Sequence, residues 1–290
     1  MVLATIVTTA VAIPPAGAPS RTDLRARAKA LGLSRHADAI ARDALAGARL
    51  VPGGNSALGA TRLGGRPDLP RSMTWPRCGG RPLSFLAQLR LHDIAAIAPR
   101  MVASKADVLL VFAAINEDPD GIAGVEEAYG QVGRETCVVV RTVRGRLTRR
   151  PVPSGVATLR NRPVRMRPTL TVPDSGIARE RYHLDMSGKG FDRWLELSAE
   201  AAAGTLGRTT RYTPVHQVLG WPSPVQDTPL YGCGHGRRSS QPTYRLFLQL
   251  DFDEPLRFAI GDGGALYLSG RPADLRAGRF GRLCAEFQEG

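Results

Sequence analysis

Read by its apolar positions, the chain changes character near residue 50. Before that point the apolar residues recur at helical spacing. Ser20-Arg-Thr-Asp23 is a capping-box-like start, and Leu24, Ala28 and Leu31 follow on one helical face, ended by Gly32. Ser34 restarts the pattern, and Ala37, Ile40, Ala41 and Leu45 predict a second helix ended by Gly47. This is an N-terminal helical hairpin, more a cover than a site. Beyond residue 50 short apolar runs take over, punctuated by Gly and Pro. The runs at 82–91, 107–115, 136–143, 164–172, 244–252, 265–270 and 282–288 read as strands. One further helix is predicted over 190–204, with Phe191, Leu195, Leu197 and Ala201 on its apolar side. The Asp-Gly pair in "GDGGALYL" predicts a hairpin between "RFAI" and "ALYLSG". Strands and helices do not alternate, so a doubly wound sheet is not expected. The class is α+β, a strand-rich single domain over 20–290 behind an apolar leader over 1–19.

A second pattern is a repeat. "LGGRPDLP" from Leu63 is followed by "FLAQLRL", which carries Gln88, and then by "LLVFAAI". "LGWPSPVQ" from Leu219 is followed by "LFLQLDF", which carries Gln249, and then by "ALYLSGR". A Pro-rich Leu-Gly loop, a strand centred on Gln-Leu and a plain apolar strand recur in one order, which predicts an internal duplication. The loops then read as scaffold, with Gly64 and Gly65 supplying positive φ and prolines stiffening the chain. Trp75 and Trp221 are expected to pack back over them.

These blocks, with "RPLSFLAQLRL", "HQVLGWPSPVQ", "FLQLDFD", "GDGGALYL" and the closing "DLRAGRF…CAEFQ", resemble the YwqG-like family, a bacterial domain-of-unknown-function family. The resemblance covers about residues 21–290. It implies one α+β domain and supplies no established catalytic residues. Some members' proximity to secreted-toxin genes implies an immunity-like setting. The apolar leader and "YGCGHGRR" depart from the family pattern.

Composition changes this picture little. The chain has 290 residues, 43% hydrophobic and 22% charged, enough for a sizeable core. Net charge is +13, and only Lys29, Lys105 and Lys189 of its 39 basic residues are lysine. No nucleic-acid motif accompanies the charge, so partners are expected among proteins or small anionic ligands. The leader "VLATIVTTAVAI" lacks a basic flank and is too short to span a membrane. A cytoplasmic location is expected, with secretion as the alternative if residues 1–18 are a signal peptide. Cys78, Cys137, Cys233 and Cys284 make two disulfides if the protein is secreted; four reduced, mostly buried thiols are the expectation in cytosol.

Candidate chemistry is sparse. Gln88 and Gln249 sit inside apolar strands, where an amide must be satisfied, so each either braces a loop or meets a ligand. Asp251 and Asp253 share a strand face and, with Asp262, offer an acidic patch. His216, beside the second loop, is a candidate acid, base or ligand. Asn116, Asp118, Asp120, Gly121 and Glu127 fall at calcium-loop positions, but a strand-like run precedes them, and a polar turn is the expected reading. Cys233 and His235 are half of a metal site with no second pair. No cofactor is expected. Two functions remain: a non-enzymatic binding or protein-interaction module, or a hydrolase-like or metal-dependent enzyme using His216 with Asp251 or Asp253. If both loops approach one cleft, Arg66, Arg71 and Arg77 would draw an anion to it.

Overall fold

The computed structural model describes residues 19–99, 101–102, 106–117, 123–125, 128–185, 187–208, 214–231, 233, 242–259 and 263–289. Ser20 caps α1 (Arg21–Ala30) through the reciprocal bonds its sequence predicts: its hydroxyl accepts from the Asp23 amide, and the Asp23 carboxylate accepts from the Ser20 amide at 2.8 Å. α2 (Ala37–Asp43) buries Ala37, Ile40 and Ala41. It ends sooner than expected, because Leu45 and Gly47 belong to strand β1 (Leu45–Pro52). A Cβ on Gly47 would lie 2.9 Å from the Leu219 carbonyl, so this glycine admits a neighbouring strand rather than ending a helix.

Ten more strands complete the sheet: β2 (Arg62–Leu63), β3 (Ser84–Arg90), β4 (Val108–Ala113), β5 (Tyr129–Gln131), β6 (Val138–Val143), β7 (Arg162–Thr171), β8 (Gln217–Leu219), β9 (Arg245–Asp251), β10 (Ala265–Gly270) and β11 (Cys284–Gln288). Each of the seven apolar runs holds all or most of one. The order is β5-β11-β10-β9-β8-β1-β7-β2-β3-β4-β6, and every neighbouring pair is antiparallel. The sheet curls until its ends meet. The Val132 amide donates to the Leu283 carbonyl beside β11, and the Gly133 amide to Val138 of β6.

The curl gives most strands two buried faces. Leu109, Val111 and Ala113 of β4 point into the central core with Leu248, Leu250, Leu266 and Leu268, whereas Val108, Leu110 and Phe112 face an outer cluster with Phe85 and Trp75. On the other half, Ala265 and Tyr267 face an outer cluster built on Trp221. Burial on both faces explains why the runs are continuous rather than alternating.

α4 (Ser175–Tyr182), α5 (Lys189–Ala203) and the N-terminal pair share another cluster around Trp194. Here the predicted helix face is corrected. Leu197 and Ala201 are buried with Trp194, but Phe191 and Leu195 are 36% and 45% exposed. Trp194, packed 5.8 Å from the Tyr182 ring, sets the face through its own spacing to Leu197 and Ala201. The short helices α3 (Leu91–Ile97) and α6 (Pro272–Arg276) were not predicted.

The "RFAI" hairpin is also corrected. Phe258–Ala259 runs parallel to Ala123–Gly124, while β10 pairs with β9 and β11. Asp253 caps the turn Glu254–Leu256, and its amide bonds to the Phe258 carbonyl at 2.8 Å, which steers the chain off the main sheet. The cysteines are paired, not reduced. Cys78 joins Cys137 and Cys233 joins Cys284, with Cα separations of 5.6 and 5.2 Å, an ordinary span for a bridge.

Candidate functional site

Two short strands lead into the two proline loops, and their registers match. Arg62 of β2 pairs with Gln88, and Gln217 of β8 pairs with Gln249. Two residues after each comes a left-handed pair, Gly64 and Gly65 at φ 61° and 74°, Leu219 and Gly220 at 57° and 77°. A Cβ on Gly65 or Gly220 would clash with Asn161 or Thr171, so both turns need glycine there.

Each glutamine then grips its own loop. The Gln88 amide oxygen accepts from the Asp68 backbone at 2.9 Å, and its nitrogen donates to the Ala60 carbonyl and the Asp68 carboxylate. The Gln249 oxygen accepts from the Ser223 amide at 3.0 Å, and its nitrogen donates to the Ser223 carbonyl. Tyr267 and Gln288 hold the next turn, since the Val225 amide donates to both. The loops lie over the two separate outer clusters rather than facing one cleft.

The polar groups do converge elsewhere. His216 is 3% exposed. Its Nε2 lies 2.9 Å from Asp253 Oδ2, and its Nδ1 lies 3.1 Å from the Asp251 amide, which donates to it. The neutral tautomer with hydrogen on Nε2 satisfies both contacts. Arg162 reaches the same Asp253 oxygen. Asp251 turns away, accepting from the Val215 amide at 2.7 Å. Thus His216 and Asp253 form a buried pair with Arg162, and Asp251 adjoins it through its backbone. Gln88 lies on the other half, in a second buried cluster: Asp68 accepts from Arg62 at 2.6 Å, Arg149 at 2.9 Å, Gln88 and the Gly59 amide.

Sequence reading missed Asp68, Arg62, Arg149 and Arg162. Asp68 carried one signal, as the lone acid inside a Gly-Pro loop that has no other reason to hold a charge. Arg162 carried none. Asp118, Asp120, Gly121, Glu127, His235, Asp262 and residues 1–18 lie outside the described residues, while Asn116 falls in the short strand Ile115–Glu117. Among the described residues no His, Cys, Asp and Glu cluster has the makings of a metal site, and no helix is long and apolar enough to cross a membrane.

Burial pushes the Asp253 carboxyl up, but the bonds from His216 and Arg162 outweigh it and hold it below the usual 3.8. Asp251 goes the other way, raised by burial. A depressed carboxylate stabilises the fold above its unfolded pKa and loses that contribution as pH falls through the folded value. The stability gap between wild type and Asp253→Asn is therefore expected to be constant near neutrality and to shrink below pH 3.8. Urea unfolding of both proteins across that range checks it, and a gap that widens on acidification contradicts it.

A family model described as Domain of unknown function (DUF1963) matches residues 61–288. The YwqG-like resemblance is consistent with that family. No curated protein matches the chain.

Proposed function

We propose, from the premise that the chain belongs to the DUF1963 family of domains of unknown function, that it is a non-enzymatic binding or protein-interaction module. One observation carries this reading. Both ring nitrogens of His216 are spent inside the protein, one on Asp253 and one on a backbone amide. A like contact at the first loop supports it. Thr61 precedes β2 as His216 precedes β8, and its hydroxyl accepts the Arg90 amide at 3.0 Å, two residues past Gln88. The Asp251 amide stands two past Gln249. A threonine hydroxyl and an imidazole thus fill one bracing role, which needs no proton transfer.

The same correspondence supports the internal duplication. The sheet order reads alike outward from the central β1–β7 pair, with β8, β9, β10 and β11 on one side mirroring β2, β3, β4 and β6 on the other. Each copy's first strand then lies against the other copy's loop strand. The two disulfides support an oxidising compartment over the cytoplasmic expectation, because reducing cytosol keeps thiols apart. An immunity-like role rests on the family resemblance alone.

His216→Asn tests the central claim, since the amide oxygen of Asn can replace Nδ1 as an acceptor. Ester, phosphomonoester and peptide substrates would be offered with and without zinc or manganese. No His216-dependent turnover is expected. Turnover by wild type that falls about a hundred-fold in the folded variant, the scale of a lost general acid or base, overturns the reading.

A further inference from the structure

A groove of about 660 Å³ runs between the first proline loop and the end of β6. Pro70, Trp75 and Pro76 form one wall, and Arg77, Arg141 and Arg144 stand around it. Its lining contains three arginines and no carboxylate. The sequence behind it carries the same bias: residues 136–173 hold nine arginines and no Asp or Glu. Two other hollows differ. The one beside α3 includes Asp107, and in the one beside α1 Arg27 meets the carboxylates of Glu196 and Glu200, whereas here Arg77 donates to the Gly80 carbonyl and Arg141 to the Val140 carbonyl, partners that carry no charge.

The groove is also held in shape. Cys78, next to Arg77, is bonded to Cys137 at the root of β6, so a disulfide ties one wall to the other. The Trp75 indole nitrogen donates to the Leu83 carbonyl at 2.8 Å, and its ring meets Phe112 edge-on at 5.6 Å. β6 bonds to β4 through alternate residues, which turns the backbone amides of Val140 and Thr142 away from β4. Arg141 and Thr142 are exposed.

We propose that this groove binds an extended, acidic segment of a partner protein, a deepening that rests on the binding-module reading. Stiff proline and tryptophan walls suit an extended chain, which loses little entropy on a preformed surface. The guanidinium donors of Arg77 and Arg141 not spent on those carbonyls supply charge-assisted bonds to its carboxylates. A nucleic acid fits less well, because Trp75 is the one aromatic ring in the lining, whereas single strands are held by successive stacking platforms.

The test is fluorescence anisotropy with a labelled peptide alternating Glu and Val, its Lys-Val counterpart, and an oligothymidine. The acidic peptide is expected to bind, the basic one not, and the oligothymidine more weakly. Arg141→Glu should weaken the acidic peptide about ten-fold, with Arg35→Glu, on the exposed turn after α1, leaving it unchanged. No binding of the acidic peptide, equal binding by Arg141→Glu, or tighter binding of oligothymidine each overturns the proposal. None of these outcomes bears on His216-dependent turnover, so the groove and the module reading fail separately.

Discussion

Replacing Trp221 with alanine is expected to lower the unfolding free energy by about 3–5 kcal/mol, the usual cost of emptying a large aromatic site in a core. The indole is 2% exposed and packs with Ile177, Leu230, Leu246, Ala265 and Tyr267. Its nitrogen donates to the Asp43 carbonyl at 2.9 Å, so the substitution also frees a carbonyl at the end of α2. The guanidiniums of Arg181 and Arg245 lie 5.4 and 5.9 Å from the ring centre and would lose that face. Trp221→Phe separates these effects, since it keeps most of the packing and loses the bond, at about 1–2 kcal/mol. Urea unfolding reads both. A midpoint unchanged by Trp221→Ala would show that the second loop is not pinned by this ring.

Asp68→Ala belongs in the same range, about 3–5 kcal/mol, for a different reason. Asp68 is fully buried and Arg62 is 2% exposed. Burial pushes the Asp68 carboxyl up, yet Arg149, Gln88, the Gly59 amide and Arg62 together hold it below its ordinary value. Removing the carboxylate leaves the Arg62 guanidinium buried beside Arg149 with no counter-charge. The cost is that of an uncompensated charge rather than of a lost attraction. Adding Arg62→Leu to Asp68→Ala should therefore restore much of the stability, which a double-mutant cycle measures. A single Asp68→Ala within about 1 kcal/mol of wild type would mean that the cluster is open to water and screened.

The elements legible in the sequence were those whose neighbours do not matter. The Ser20 capping box works through bonds three residues apart, and the positive φ of Gly64 and Gly65 follows from the Gly-Gly pair itself. Seven apolar runs became strands because burying a continuous run is favourable whatever lies against it. The bracing alternative for Gln88 and Gln249 was readable for a related reason: an amide inside an apolar strand must find a partner close by.

Tertiary structure decided the rest. Leu45 and Gly47 read as the tail of a helix, but β1 forms there because β7 and β8 flank it on either side. β2 and β8, at two and three residues, carry too little pattern to be read alone and exist through their pairing with β3 and β9. Trp194, not Phe191 or Leu195, chose the buried side of α5. The meeting of His216 with Asp253 and Arg162, of Asp68 with Arg149, and of Cys78 with Cys137 each joins residues between 37 and 91 positions apart. A periodic pattern records which face of an element avoids water, a short-range property. It holds no record of which distant partner closes a charge, a disulfide or a sheet edge, because that choice is made by the packing of the whole chain.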